Sequence, residues 1–164
     1  MGREIERKFL VRGRPWGSSK GVLVRQGHLS MDKDRVVRVR TAGEKGFLTV
    51  KGRSQGLMRP EYEYEIPFQD AVEMLNTLCT GHIIEKTRYH VEHAGLIWEI
   101  DEFKGENQGL VVAEVELESE NQALALPAWV GNEVSGDPRY LNVNLAHRPF
   151  KRWGKEEFTD LHLS

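Results

Sequence analysis

The sequence contains one cysteine, Cys79, among 164 residues. An intramolecular disulfide and a thiolate metal cluster are therefore both excluded, and a reducing compartment suits the chain. No apolar run approaches the length of a membrane span, and the first ten residues are too charged for a secretory signal. We therefore expect a soluble, cytoplasmic protein that does not enter a membrane.

Net charge is also nearly absent. The chain has 23 Lys and Arg against 25 Asp and Glu, a formal net charge of −2, although charged residues make up 29% of it. This balance argues against binding of nucleic acid through bulk positive charge. The six histidines show no metal-ligand spacing. The local arrangement of the two signs of charge is therefore the feature to interpret.

Alternation of apolar and polar residues, which is typical of strands, recurs along the chain. Eight segments show it: residues 3–11, 22–29, 35–41, 46–52, 61–67, 83–92, 96–103 and 110–118. Turn-forming residues such as those at 42–45 separate them at short spacing, which predicts antiparallel hairpins.

Three segments favour helix. Residues 69–79 have a helical apolar face with Asp70 as a plausible cap, and residues 120–131 predict a short helix interrupted by a proline. Asp137-Pro138 predicts the start of a C-terminal helix that ends before Pro149. The length suits one domain over residues 1–164, with a core of about 3–147 and a polar tail over 151–164.

Because residues i and i+2 of a strand share one face, the polar residues of each predicted strand lie together. Within most strands these residues carry the same sign of charge. The set comprises Glu4, Glu6, Lys8, Arg38, Arg40, Lys51, Glu61, Glu63, Glu65, Lys86, Arg88, Glu99, Asp101, Glu114, Glu116 and Glu118, with Thr49 beside Lys51.

One interpretation of these faces is an open antiparallel sheet with one face in water. For a single strand that interpretation is sufficient. The whole set argues against it, because like charges along a strand repel, whereas ordinary surfaces intersperse the two signs. About eight antiparallel strands closed into a barrel with this face inward would instead line a cavity for one small ligand.

A lumen with both signs of charge requires a ligand that compensates both, because a buried wall of unpaired charge is very costly. The basic residues call for a compact polyanion, and the planar arginine group suits phosphate oxygens. The acidic residues call for hard divalent cations such as Mg²⁺ or Mn²⁺. A polyphosphate that carries its metal ions satisfies both requirements.

The order of these elements resembles the CYTH superfamily, the triphosphate tunnel metalloenzymes. The opening Glu4-x-Glu6-x-Lys8 is similar to the motif that marks this superfamily. Further similar elements follow in order: Arg38-x-Arg40, Thr49-x-Lys51, Glu61-x-Glu63-x-Glu65, Lys86-x-Arg88, Ile100-Asp101-x-Phe103 and Glu114-x-Glu116. The resemblance covers about residues 3–147, and seven elements in order are far more specific than the first one alone.

The resemblance implies an α+β fold: a closed eight-stranded antiparallel tunnel with a charged lumen and helices outside. A C-terminal helix within residues 134–148 would close one end. It also implies metal-dependent hydrolysis of a terminal phosphate from a linear triphosphate. Phosphate binding would fall to Lys8, Arg38, Arg40, Lys51, Lys86 and Arg88, metal binding to Glu4, Glu6, Glu63, Asp101, Glu114 and Glu116, and catalysis to Lys8, Lys86 and Glu6.

Several functions fit a tunnel that binds phosphates. Inorganic tripolyphosphate is favoured because no tryptophan lies in a readable motif for a base or a thiazole ring. The alternatives are hydrolysis of thiamine or nucleoside triphosphates, class IV adenylyl cyclase activity, and a non-catalytic module that binds polyphosphate or nucleotide. A generic ligand carrier fits least well, since its lumen should be mostly apolar. In each case the partner is a small polyanion.

Two further expectations concern single residues. Relatives often carry Tyr in place of His28, and we expect a strand-end histidine without a catalytic role here. Lys86 has an alternative as the partner of an acid in a structural network, which is the commoner role of such a lysine. The acidic residues Glu65, Glu99 and Glu118 are expected in solvent at the tunnel mouth.

Overall fold

The alternating segments form strands in a computed structural model that describes residues 3–153. Nine strands lie within that range: β1 Arg3–Val11, β2 Val22–Asp32, β3 Arg35–Ala42, β4 Lys45–Lys51, β5 Met58–Ile66, β6 Thr80–His93, β7 Leu96–Phe103, β8 Val111–Glu116 and β9 Val130–Glu133. Two α-helices accompany them, α1 Phe68–Thr77 and α2 Asn142–His147, with 3₁₀ turns at Gly105–Asn107, Pro138–Tyr140 and Phe150–Arg152.

The first eight strands form a closed barrel. They run in the order β5-β4-β3-β2-β6-β7-β8-β1, and β1 pairs with β5 at the seam. Every pairing is antiparallel, as the short turns predict. The ninth strand was not predicted and pairs with the far end of β1. The α+β fold class and the eight-stranded tunnel are confirmed.

The outer face of β1, β6, β7 and β8 is apolar and buried. Trp98 is fully buried there, with its ring 5.6 Å from that of Phe9 and 5.4 Å from that of Trp129. Trp16, in the loop between β1 and β2, stacks on Tyr89 at 4.5 Å. Burial of this face orients the charged residues of the same strands into the lumen.

Helix α1 covers the outer face of β3 and β4. Ala71 and Leu75 pack against Val39 in a separate buried cluster. Gly46 allows the close approach, because a Cβ there would lie 2.8 Å from the Cβ of Ala71. The N-cap is Pro67 rather than the predicted Asp70, which lies in the first turn, so the predicted cap is wrong.

The C-terminal segment covers one end of the barrel. Asp137 accepts a hydrogen bond from the Arg139 backbone N–H, as a cap should, and the helix starts there as predicted. A break at Leu141 then divides the predicted helix into a 3₁₀ turn and α2. Tyr140 and Leu145 of this segment pack in one buried cluster with Leu10, Ile84, Phe103 and Val112 of the strands. Part of the inward face is therefore apolar, although we expected the apolar face only outside.

The helix predicted over residues 120–131 is wrong. Leu124, in a stretch without regular secondary structure, and Trp129, in a turn, pack against the outer core, and the Trp129 carbonyl accepts a hydrogen bond from Arg12 N–H. Pro127 cannot donate a helical hydrogen bond, and covering the sheet here buries more apolar surface than an isolated short helix would. Of the predicted tail, residues 154–164 lie outside the described residues. In the described range no helix is long and apolar enough to cross a membrane.

Candidate active site

The barrel encloses a cavity of about 640 Å³ whose wall is mostly charged. Its lining residues come from β1 through β8 and from the C-terminal segment. They include Glu4, Glu6, Lys8, His28, Arg38, Arg40, Lys51, Arg59, Glu61, Glu63, Arg88, Glu99, Glu114, Glu116 and Leu141. The cavity therefore has the two signs of charge that the strand patterns predict.

At the seam between β1 and β5, one lysine joins two carboxylates. Lys51 Nζ lies 2.9 Å from Glu4 Oε1 and 3.1 Å from Glu61 Oε2. Burial raises the pKa of Glu4, and the nearby Lys51 opposes that effect. The pairing stabilises the ammonium group of Lys51 and the two carboxylates in their charged forms inside the barrel. The ammonium group could bind a phosphate oxygen in place of a carboxylate.

Glu6 lies at the centre of an acidic cluster on β1 and β8. It is directly opposite Glu116, and Lys8 is opposite Glu114. Burial, then the charges of Glu114 and Glu4, raise the pKa of Glu6 well above its usual value. Carboxylates opposite each other repel unless a proton or a cation lies between them.

This cluster fits a divalent cation in its donor chemistry. Oxygen ligands suit Mg²⁺ and Mn²⁺, and Mg²⁺ commonly takes only one or two protein carboxylates together with water and substrate phosphates. In residues 3–153 no group of three or more acidic, histidine or cysteine side chains is already arranged as a closed metal site. A cation here would therefore take part of its ligand set from outside the protein.

On β3, two arginines share one carboxylate. Arg40 Nη2 lies 3.3 Å and Arg38 Nη2 lies 3.9 Å from the oxygens of Glu63, which also accepts a hydrogen bond from Thr49 at 2.9 Å. The aligned register of β3, β4 and β5 brings these residues together. Two guanidinium groups side by side form an anion site that one carboxylate only partly neutralises.

Arg88 is oriented by an acid behind it. Its Nε and Nη2 donate to the two oxygens of Asp101 at 2.8 and 2.9 Å, and Lys86 Nζ lies 2.8 Å from the same carboxylate. Lys86 and Asp101 are almost fully buried. Burial raises the pKa of Asp101, but Arg88 and Lys86 reverse the effect and lower it well below its usual value. Burial lowers the pKa of Lys86 to about 8, although the negative charge of Asp101 opposes this shift.

Lys8 connects the cavity to the C-terminal segment. Its Nζ donates to the carbonyl of Tyr140 at 3.1 Å and lies 3.7 Å from Glu114. Its backbone carbonyl accepts from Val134 N–H at 2.8 Å, and its N–H donates to Ser135 Oγ. Backbone and side chain of Lys8 are therefore both fixed before any ligand binds.

Comparison with known proteins gives the family. The CYTH domain family matches residues 2–150, which is most of the chain. The chain belongs to the CYTH domain family. The inorganic triphosphatase of Acetivibrio thermocellus is 55% identical over 154 residues, which are 93% of this chain and 99% of the relative. The inorganic triphosphatase of Nitrosomonas europaea is 42% identical over 147 residues, 87% of this chain and 96% of that protein.

A solved structure supports the same family. The crystal structure of the inorganic triphosphatase NE1496 matches with a TM-score of 0.64 and 39% identity, over 87% of this chain and 93% of that chain. The resemblance inferred from the seven ordered motifs is confirmed.

Ten of the twelve predicted site residues line the cavity of this CYTH domain. They are Glu4, Glu6, Lys8, Arg38, Arg40, Lys51, Glu63, Arg88, Glu114 and Glu116. Lys86 and Asp101 are on the inward strand face but are not among the lining residues, and they pair with each other. The alternative for Lys86, a partner in a structural ion-pair network, describes this geometry.

Some residues that line the CYTH tunnel were not predicted as site residues. Glu61 was in the charged set, and its position two residues before Glu63 was the signal. Glu99 was expected in solvent at the tunnel mouth; its side chain is 40% exposed, and it also lines the cavity at 3.5 Å from Arg88. His28 was expected at a strand end, but it lies within β2 at a register shift, buried, in the cavity wall. That placement corrects the expectation for its position.

Proposed function

We propose that this protein hydrolyses the terminal phosphate of a linear triphosphate in a reaction that depends on a divalent metal, with inorganic tripolyphosphate as substrate. The observation that carries the proposal is the lumen, where cations and carboxylates of separate strands face one cavity. A polyanion with bound cations compensates both sets at once, and no apolar or singly charged ligand does so. Membership of the CYTH family and two relatives named inorganic triphosphatase support it.

Phosphate binding falls to the cations that reach the cavity: Lys8, Arg38, Arg40, Lys51 and Arg88. Each is held by a carboxylate or a carbonyl before substrate arrives, so its direction is already set. Phosphoryl transfer depends mainly on positioning and on neutralisation of charge, which such fixed groups supply. Lys8, which contacts both the acidic cluster and the C-terminal segment, is the residue we assign to the reacting phosphate.

Metal binding falls to the carboxylates Glu4, Glu6, Glu63, Glu114 and Glu116. The ion we expect is Mg²⁺ or Mn²⁺, which would neutralise phosphate charge and lower the pKa of water. Glu6 is opposite Glu116 and interacts with Glu114 and Glu4, and it is the acid we assign a catalytic role. Deprotonation of Glu6 is favoured by a cation, which would offset the repulsion from Glu114 and Glu4 that raises the pKa of Glu6.

Lys86 and Asp101 take a supporting role in this proposal. Asp101 uses both oxygens on Arg88 and Lys86, which leaves it poorly placed as a metal ligand. Lys86 lies 5.5 Å from the ring centroid of Phe103, away from the cavity lining. We assign both residues to the orientation of Arg88 rather than to contact with the substrate or the metal.

The choice of substrate is tested by a screen of phosphate release. Tripolyphosphate, ATP and thiamine triphosphate are compared with Mg²⁺ and then with Mn²⁺, and the ATP reaction is also assayed for cyclic AMP. The highest kcat/KM is expected for tripolyphosphate. Cyclic AMP would favour the cyclase alternative, and tight binding without phosphate release would favour a non-catalytic module. The partner is a small polyanion, and cytoplasmic location stays a prediction from the sequence.

A further inference from the structure

Arg59 lines the cavity without a counter-charge. Each of the cations assigned to phosphate binding has a carboxylate oxygen within 3.9 Å. Arg59 also lines the cavity, but it forms no ion pair with any of residues 3–153. Glu4, its opposite residue on β1, is paired with Lys51 at 2.9 Å. Because a charge inside a protein is costly unless it is paired, this arginine indicates an anion from outside the chain.

The guanidinium group of Arg59 is fixed by the backbone and keeps an accessible donor. Its Nη2 donates to the Gly52 carbonyl at 3.0 Å, and Gly52 N–H in turn donates to the Pro60 carbonyl of β5 at 3.0 Å. Nε is buried without a partner, whereas Nη1 has no hydrogen bond in the described part of the chain and is not buried. The direction of the group is therefore set before a ligand binds, and Nη1 can donate to it.

Arg59 is the least exposed member of a basic group in the cavity wall. The others are Lys33 in the turn between β2 and β3, and Arg53 and Ser54 in the loop between β4 and β5, and all three are exposed. The nearby acid Asp34 is exposed and lies 3.5 Å from Arg53. Positive charge is thus in excess at this part of the wall, which suits the most highly charged part of a phosphate chain.

Arg59 and Lys8 approach the cavity from separate parts of its wall. Arg59 is opposite Glu4, which is four residues from Lys8 on the same strand. At about 3.3 Å per residue, the two positions on β1 are about 13 Å apart. Lys8 is the residue assigned to the reacting phosphate, so a phosphate chain that extends from Lys8 towards the basic group places its other end at Arg59.

That other end distinguishes inorganic from organic triphosphates. In tripolyphosphate it is a terminal phosphate with three non-bridging oxygens and, when fully ionised, two negative charges. In ATP or thiamine triphosphate it is an ester, with two such oxygens and one negative charge. The planar donors of arginine bind the first more strongly. A site built around such a pairing also discriminates against a ligand that cannot complete it.

We propose that Arg59 binds the unreacted terminal phosphate of tripolyphosphate and thereby selects the inorganic substrate over phosphate esters. This inference rests on the proposed function, in which Lys8 holds the reacting end. Arg59 contacts the part of the substrate that leaves as pyrophosphate and not the phosphorus that reacts. Its removal therefore weakens substrate binding more than it slows the chemical step.

The test replaces Arg59 with methionine, which keeps an unbranched chain and removes the guanidinium group. Phosphate release with Mg²⁺ gives kcat and KM for tripolyphosphate and for ATP, and Tm is measured alongside. If ATP turnover is too slow, the Ki of ATP as a competitor of tripolyphosphate replaces its KM. For tripolyphosphate, KM should rise at least about tenfold, with kcat changed less than about threefold. For ATP, KM or Ki should change less than about threefold.

The matched control is Arg25→Met, which removes an arginine of β2 that does not line the cavity and lies 3.3 Å from Glu85. Its KM for both substrates should equal that of the wild type. If Arg59→Met does not fold, Arg59→Lys, which keeps the charge without the planar donors, takes its place. The rise in KM for tripolyphosphate should then exceed that for ATP at least about threefold. If neither variant folds while Arg25→Met folds, Arg59 is structural and the inference is overturned.

Other outcomes also decide the question. An unchanged KM for tripolyphosphate overturns the inference, and so does an equal rise for both substrates, which would make Arg59 a general phosphate ligand. A fall in kcat with unchanged KM would place Arg59 at the reacting phosphate and would also overturn it. A wild type that is inactive, or that has the higher kcat/KM for ATP, overturns the proposed function and this inference together. A wild type that prefers tripolyphosphate, with an unaltered Arg59→Met variant, overturns only the inference.

Discussion

Lys86 Nζ lies 2.8 Å from Asp101 Oδ2, and both side chains are almost fully buried and outside the cavity lining. The same carboxylate accepts two hydrogen bonds from Arg88, which reaches the cavity. One acid thus neutralises two cations, only one of which lines the cavity. The orientation of an arginine that lines the cavity is therefore set by two residues outside the cavity lining.

Removal of the shared carboxylate should cost stability. Asp101→Asn leaves the buried Lys86 without its counter-charge and leaves Arg88 with Glu99 alone, at 3.5 Å, so we expect a loss of about 3–5 kcal/mol in the free energy of unfolding. Urea denaturation at pH 7 measures it. The control on the same strand is Glu102→Gln, whose ion pairs are partly exposed and should contribute less than about 1 kcal/mol. Equal effects of the two variants would contradict the role given to Asp101.

Substitutions of Arg88 and Lys86, the two cations paired with Asp101, should differ in their effects on substrate binding. Arg88→Met removes a group that lines the cavity, so KM for tripolyphosphate should rise at least about tenfold. Lys86→Met leaves Asp101 paired with Arg88, so KM should change less than threefold. Steady-state kinetics of both variants, with Tm as a check on folding, measure this difference. A rise in KM of similar size in the Lys86 variant would show that Lys86 contacts the substrate.

His28 should contribute to loss of stability in acid. Its pKa is lowered from 6.5 to about 4 in the folded protein, mainly by burial. Between these values the unfolded chain binds a proton that the folded protein does not, so stability falls as the pH decreases through this window. The difference corresponds to about 3 kcal/mol.

A neutral replacement isolates this contribution. His28→Gln should show a loss of stability between pH 6.5 and pH 4 that is smaller than that of the wild type by about 3 kcal/mol. Urea denaturation at several pH values gives both curves, and His147→Gln, near the end of α2, is the control. Parallel curves for His28→Gln and the wild type would refute the assignment of a neutral, buried imidazole.

Most of the barrel could be predicted from the sequence. In a strand with one charged and one apolar face, the residue pattern alone indicates which side chains share a face. The pattern around Glu4, Glu6 and Lys8 predicted the inward face correctly. Residues 120–131 could not be predicted, because alanine and leucine favour helix locally while Trp129 is drawn onto a distant sheet. Tertiary packing decided that segment, and Pro127 was the only local signal against a helix.

Charged positions in the sequence predicted most of the residues that line the cavity, but they did not distinguish these from charged residues outside the lining. Lys86 and Asp101 are on the inward strand face, as predicted. The alternation of residues along a strand does not show whether an inward side chain lines the cavity or pairs with another side chain. His28, which lines the cavity, was missed for the opposite reason, since an uncharged residue adds nothing to a pattern of charges. The same parity that places Arg38 inward also places His28 inward, once the register of β2 and β3 is known.

The central claim is that the charged lumen hydrolyses a metal-bound inorganic triphosphate. The most direct measurement is phosphate release from tripolyphosphate with Mg²⁺ by the wild type and by Glu6→Gln, with Glu118→Gln, an exposed acid after β8, as control. Release by the wild type and the control is expected, with loss on addition of EDTA and a decrease of at least about 100-fold for Glu6→Gln. No release by the wild type, or full activity of a folded Glu6→Gln variant, would contradict the account.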